Sequence, residues 1–334
     1  MPIMEDYELV IIGGGPTGLF ATFCAGLREI KSVTLESLET TGGQILKFYP
    51  IKEVLDVEGI PAITGKDLAA ALFKQATRFG NKIVVNSKVT DIKKDSLGGF
   101  IVEVNSQDAY HCKAILIAAG IGSLVPKKLN VPGEEDYSEK GVYYTVTNLD
   151  IFKGKTVAII GGGDAGFDWA NQISSVVNKI YIIEYMPAIK AMESSVSNLI
   201  KTGKAELIVN TAVKSLEGDV NKLTDLNLID RKTNSIKKLN VDAVVVAIGH
   251  KTEGNSFKSV TFDVFMNRIK VNDDRETNVP GIYAAGDVAT SENKPTVGLI
   301  AVDGAEAYTA INNIKKYLNP SASVFGEHST ELNR

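Results

Sequence analysis

The sequence predicts an α/β chain of two parallel-sheet units, the second inserted into the first. Two observations carry that expectation. A strand, glycine turn, helix and second strand occur twice, with the same internal spacing, and the first glycines of the copies, Gly13 and Gly161, stand 148 residues apart. Two apolar runs, Ala114-Ile115-Leu116-Ile117-Ala118-Ala119-Gly120 and Ala243-Val244-Val245-Val246-Ala247-Ile248-Gly249, read as matching buried strands, each closing on a glycine turn.

In the first copy, Leu9-Val10-Ile11-Ile12 runs into Gly13-x-Gly15-Pro16-Thr17-Gly18, and Ser32-Val33-Thr34-Leu35 ends on Glu36, 23 residues after Gly13. In the second, Thr156-Val157-Ala158-Ile159-Ile160 runs into Gly161-x-Gly163-Asp164-Ala165-Gly166, and Tyr181-Ile182-Ile183 ends on Glu184, again 23 residues on. The chemistry needs these residue types. The first glycine makes the tight turn, the second lets backbone approach a pyrophosphate, and the third lets helix and strand pack closely. The helix start presents unpaired N–H groups to the anion, and the terminal carboxylate accepts hydrogen bonds from an adenosine ribose. One such glycine triplet is weak evidence of binding. Two, each in context and each followed by its acid, predict two Rossmann-like dinucleotide sites.

Composition fits a two-domain enzyme. A chain of 334 residues, 44% hydrophobic, has enough apolar material for two cores. A net charge of −4 leaves no nucleic-acid footprint. The start of the chain carries Glu5 and Asp6 rather than a signal peptide, and no apolar run spans a bilayer, so a cytoplasmic location is the expectation. The two cysteines, Cys24 and Cys112, are far apart in sequence and form no CxxC or zinc pattern, and no metal site is expected. Cys24 falls in the first helix as a small buried hydrophobe. Pro126, Pro132 and Gly133 punctuate one crossing between units, and Gly249 to Gly254 the other. The expected domains are residues 1–119 with 251–334, and residues 120–250.

With the segment Thr277-Asn278-Val279-Pro280-Gly281-Ile282-Tyr283-Ala284-Ala285-Gly286-Asp287, these features resemble the flavoprotein pyridine nucleotide-disulfide reductase superfamily. The resemblance implies FAD on the N-terminal unit and NAD(P)H on the inserted one, with Asp287 holding the ribityl chain. Gly42-Gly43-Gln44-Ile45 matches the flavin loop of the thioredoxin reductase branch. Phe48-Tyr49-Pro50, Val54 to Gly59 with Asp56, and Gly161 to Trp169 look like the thioredoxin-reductase-type ferredoxin–NADP reductases. Val89, Ala119 and Gly120 join the FAD contacts so implied, and Gly249 the NAD(P)H contacts. The helix expected to begin near Thr296-Val297-Gly298 would point its start at the flavin, making Thr296 and Val297 backbone contributors. Tyr49 and, from the C-terminal tail containing Phe325, His328 are the flavin-covering candidates. The ordinary alternatives are a loop-packing tyrosine and a frayed tail.

Where thioredoxin reductases carry their active disulfide, this chain has Thr145 and Asn148, which removes the dithiol relay. The implied activity is hydride transfer from NAD(P)H to flavin N5, then electron delivery to ferredoxin or flavodoxin. An NADH oxidase or diaphorase and a nucleotide-sensing flavoprotein are the competing expectations. Glu184-Tyr185-Met186 stands where NADPH-using members carry basic residues, so NADH is favoured over NADPH. Lys190 is either a partner for a 2′-phosphate or a solvated surface charge. Lys47, Lys52, Lys127 and Lys128 are candidates for a patch that docks an acidic ferredoxin, scattered surface lysines being the alternative. The resemblance also implies a homodimer.

Overall fold

A computed structural model describes residues 5–96, 98–105, 108–220, 222–253, 257–291 and 297–324. The chain forms two compact units, Met1–Ser123 with Thr252–Arg334, and Leu124–Lys251.

In the first unit, Glu5–Ile12 lies between Ser32–Leu35 and Asp108–Ile117, parallel to both. Lys82–Val84 extends the sheet beyond Ser32–Leu35, and Ile282–Ala284 pairs in parallel with the end of Asp108–Ile117. The antiparallel strands Val89–Lys94 and Phe100–Val104 lead into Asp108–Ile117. Alternate side chains of the central strand enter opposite cores. Val10 and Ile12 join Val33, Leu35, Ile115 and Ile117 on one face. Leu9 and Ile11 join Leu116 on the other, against Ala21 and Ala25 of the helix Pro16–Leu27 and Ala307 and Ile311 of the helix Ile300–Leu318. Burial on both faces is why these strands read as continuous apolar runs.

The second unit repeats this order. Thr156–Ile160 lies between Lys179–Ile183 and Ala243–Val246, with Ala205–Ile208 and Val142–Tyr143 outermost, all parallel. Corresponding residues hold corresponding registers: Ile12 is opposite Leu35 and Ile117, and Ile160 is opposite Ile183 and Val246. An antiparallel meander, Thr211–Gly218, Leu223–Asp230 and Ile236–Asn240, precedes the return strand as its counterpart does in the first unit.

Local reading and structure part at the final helix. The described helix runs Ile300–Leu318, and Val297, Gly298 and Leu299 precede it in non-helical backbone. The helix starts later because Leu299 before it holds extended backbone, at φ −124° and ψ 136°, and Gly298 passes close to Asp287, where a Cβ would stand 2.9 Å from Oδ1. Thr296, Phe325 and His328, together with Gly254, lie outside the described residues.

Candidate functional site

Both glycine turns are built by one contact. A Cβ on Gly18 would stand 1.8 Å from the Gly13 carbonyl oxygen, and one on Gly166 would stand 2.0 Å from that of Gly161. Each helix therefore begins against the end of its strand. Neither N-cap, Gly15 or Gly163, has a side chain to satisfy the first-turn N–H groups of Pro16–Leu27 or Asp164–Ile173. Those donors stay available to an anion. The second glycine is the open one: nothing lies within 4 Å of a Cβ on Gly163.

The two acids sit as the repeat predicts. Glu36 is buried, its Oε2 accepting from Gly14 N at 2.7 Å and its Oε1 from Leu38 N at 2.8 Å. Glu184 accepts from Gly162 N at 2.5 Å and Met186 N at 2.7 Å. A carboxylate has about four acceptor positions, so each acid braces its loop and keeps capacity for ribose hydroxyls.

Around the first turn, every group comes from the carboxyl end of a parallel strand or the loop above it, where open α/β sheets bind ligands. Gly43, at φ +55°, packs so tightly on Gly15 that a Cβ would stand 2.8 Å from its Cα. The Gly42 N–H donates to Gly14 O at 2.8 Å. Gln44 Nε2 lies 3.3 Å from where a Gly120 Cβ would be, beside Ala119 at the end of the adjacent strand. Gly286 and Asp287 arrive after Ile282–Ala284, with Gly286 against Thr17 Oγ1.

Two acids outside the repeated motif complete this cluster. Glu306 Oε2 accepts from Gly286 N at 2.8 Å while its Oε1 pairs with Arg275, which fixes the turn carrying Asp287. Asp303 receives Thr17 Oγ1 at 3.3 Å, and its Oδ1 is buried with no partner among the described residues. Burial, then the charges of Asp287 and Glu306, push the Asp303 carboxyl up to about 7, against weaker opposition from Thr17 and Arg268. Asp303, Glu306 and Asn312 occupy buried positions of a helix that otherwise hides alanine and isoleucine.

Other expected contacts are more peripheral. Tyr49 follows the short helix Gly43–Phe48, 43% exposed, with Lys52 Nζ 5.5 Å from its ring centroid. Asp56 and Val297 are exposed, and Val89 packs at the margin of the core.

In the second unit, a cleft of about 420 Å³ is lined by Ile160, Gly161, Glu184, Tyr185, Thr211 and Ile248, among others. That volume suits a small-molecule ligand. Asp164 and Ala165 are exposed at the helix start, and Asp164 Oδ1 accepts from Met192 N at 2.8 Å. Gly249, at φ +89°, closes the return strand, and its carbonyl accepts from Lys127 N at 3.0 Å. The Lys190 N–H donates to Gly162 O at 3.1 Å, folding its loop back on the glycine turn, and its side chain is exposed.

Cys24 and Cys112 are both buried, and burial pushes each thiol up to about 12. Neither is a nucleophile near neutral pH. Asn148 Oδ1 accepts from Asp150 N at 2.9 Å, so the segment of Thr145 and Asn148 is an ordinary capped turn.

The fold and its paired glycine cradles define a two-domain dinucleotide-binding protein. The chain belongs to the pyridine nucleotide-disulphide oxidoreductase family, whose pattern matches residues 7–311. It is 48% identical to a ferredoxin–NADP reductase of Picrophilus torridus over 331 residues, 98% of this chain and 99% of the relative. Identity to a ferredoxin–NADP reductase of Metallosphaera sedula is 39%, over 99% of both chains. Among solved structures it is similar to the thioredoxin reductase of T. acidophilum, at TM-score 0.76 and 30% identity, covering 93% of this chain and 98% of that one.

Two predictions test the geometry. Gly166→Ala is expected to destabilise the fold by about 2–3 kcal/mol through overpacking, whereas Gly163→Ala leaves the melting temperature unchanged and weakens nicotinamide nucleotide binding. Thermal melts with nucleotide titration check both. For Asp303, a carboxyl that holds its proton more tightly folded than unfolded stabilises the fold below its unfolded value. That contribution is lost as pH rises through the folded value of about 7. The ligand-free wild type should therefore lose on the order of 2–4 kcal/mol relative to Asp303→Asn between pH 4 and pH 8, read by urea unfolding at each pH.

Proposed function

We propose that this chain is an FAD-dependent ferredoxin–NAD(P) reductase, with FAD on the first unit and NAD(P)H on the second. The observation that carries the reading is a pair of dinucleotide cradles in a chain whose only cysteines, Cys24 and Cys112, are buried and inert. Electrons arriving from a nicotinamide have no protein dithiol to enter, so they leave to an external carrier. The names of the 48% and 39% identical relatives support ferredoxin as that carrier. Bound flavin supplies what no side chain here does, accepting a hydride equivalent and releasing electrons singly.

The residues present fit these groups. Gly13, Gly15, Pro16, Thr17 and Gly18 offer a bare helix start to the FAD pyrophosphate, and Glu36 takes the adenosine ribose. Gly43, Gln44, Ala119, Gly120 and Asp287 line the adjoining strand ends. The unpartnered Asp303 Oδ1 beside Thr17 marks a polar position that a ligand would satisfy. Tyr49 is exposed and is assigned to cover the isoalloxazine, with Asp56, Val89 and Val297 at its margin, and Thr296 and His328 are assigned from the resemblance alone. In the second unit, Gly161, Gly163, Asp164, Ala165 and Gly166 receive the nucleotide pyrophosphate, with Gly249 at the neighbouring strand end. Glu184 takes the ribose and favours NADH, whose free hydroxyls it can accept from. Lys190 stands near enough in backbone terms to serve a phosphate.

Lys47 and Lys52 of the first unit and Lys127 and Lys128 of the second are the candidate docking cations, although Lys128 is already paired with Glu135. A homodimer in the cytoplasm is the proposed state. No described helix is long and apolar enough to cross a membrane.

The deciding experiment is anaerobic stopped-flow reduction of the yellow protein by NADH and by NADPH, followed by mixing with ferredoxin. Bleaching by NADH and rapid reoxidation by ferredoxin are expected. Failure of both nucleotides overturns the reading, and reoxidation by oxygen but not ferredoxin replaces it with an oxidase. Glu184→Arg should shift the kcat/KM ratio toward NADPH by about tenfold or more, and an unchanged ratio removes Glu184 from nucleotide choice.

A further inference from the structure

The three residues that follow the second ribose-binding acid are Tyr185-Met186-Pro187, none of them a cation. The structure brings one from elsewhere in the chain. Arg231 follows the strand Leu223–Asp230, and its Cζ lies 3.5 Å from the ring centroid of Tyr185. Its Nη1 donates to the Tyr185 carbonyl at 2.9 Å. We propose that Arg231 is the 2′-phosphate-binding residue of this chain, the cation through which NADP(H) is accepted beside Glu184. The proposal rests on the assignment of the second unit to a nicotinamide nucleotide.

Backbone geometry holds the guanidinium there. The Arg231 N–H donates to Asn210 O at 3.0 Å, the Asn210 N–H to Met186 O at 2.9 Å, and the Thr211 N–H to Glu184 O at 3.0 Å. Residues 184–186, 210–211 and 231 are thereby tied together at the mouth of the cleft that Gly161, Glu184 and Tyr185 line. The planar stack on Tyr185 and the bond to its carbonyl orient the fork while using one of its five donors.

Charge bookkeeping at the site leaves the guanidinium available. Among the described residues no carboxylate forms an ion pair with Arg231. The adjacent Asp230 turns inward on its own loop, accepting from Lys232 N and Thr233 N at 2.8 and 2.9 Å. Glu184 has both oxygens engaged by Gly162 N and Met186 N. Both Arg231 and Tyr185 are exposed, so a phosphate can reach the fork without any rearrangement of the core. An arginine is the side chain that matches phosphate oxygens with two parallel donors.

Glu184 and Arg231 then act in opposition. The carboxylate repels a 2′-phosphate and accepts from free ribose hydroxyls, and the guanidinium attracts the phosphate. NADH is favoured while NADPH remains usable, which reconciles the acid at position 184 with relatives named for NADP.

The test uses the flavin-loaded protein and two small probes, adenosine 2′,5′-bisphosphate and adenosine 5′-monophosphate, titrated by calorimetry into wild type, Arg231→Gln and Arg231→Lys. Arg231→Gln should weaken the bisphosphate about tenfold and leave the monophosphate within about twofold, with Arg231→Lys between the two. Equal weakening of both probes would show that Arg231 only props the loop and would overturn the proposal, as would no effect on either. Steady-state kinetics supply a second reading, in which KM for NADPH rises in Arg231→Gln and KM for NADH does not. If the bisphosphate effect is found in a protein that neither nucleotide reduces, the reductase reading fails while the Arg231 site stands.

Discussion

The contact of the third glycine on the first glycine's carbonyl is the constraint from which both sites follow. With 1.8 and 2.0 Å available to a Cβ, no side chain fits at Gly18 or Gly166. The helix is therefore held with its first turn against the strand end, and its uncapped N–H groups converge above the sheet. Most of what lines either cradle comes from neighbouring strand ends, because parallel pairing puts all their carboxyl ends on one edge, and Asp303 and Glu306 are added from the helix Ile300–Leu318.

Hydrogen bonds to the glycine loops explain why the acids appear at equal spacing in both copies. Glu36 and Glu184 each accept from the residue between the first two glycines, at 2.7 and 2.5 Å, and from the backbone two residues downstream. The carboxylate after each second strand is thus the brace that shapes its glycine loop. A substitution such as Glu184→Arg alters loop geometry as well as charge, which is why the ratio of nucleotides, and not the absolute rate, carries the interpretation.

The repeat was legible because its parts lie within some two dozen residues and obey one spacing rule. Strands buried on both faces, the two turns and both acids could be read directly from the residues. What escaped had to come from tertiary contact. Arg231 reaches Tyr185 only because the meander folds back beside Asn210. Glu306 and Asp303 look like the polar face of an amphipathic helix until the helix is seen to bury them beside Gly286 and Thr17. The helix start was also misplaced, because Val297, Gly298 and Leu299 run in non-helical backbone ahead of Ile300.

The same unit used twice is tuned for two kinds of occupancy. In the first copy the acid is 5% exposed, and Gly43 packs directly on Gly15. Glu306, Arg275 and the half-satisfied Asp303 add a buried polar network that only a bound ligand completes. A ligand there meets buried polar atoms such as Asp303 Oδ1, which cost about 1–3 kcal/mol each when left unsatisfied, and that favours its retention. In the second copy nothing packs on Gly163, and the acid is followed by exposed Tyr185 and Met186. Arg231 stands over an exposed ring rather than in a core. A ligand can leave that cleft without unmaking the fold. A retained flavin and an exchanging nucleotide are what a reductase that passes electrons outward needs, and the differences between two copies of one motif are enough to provide both.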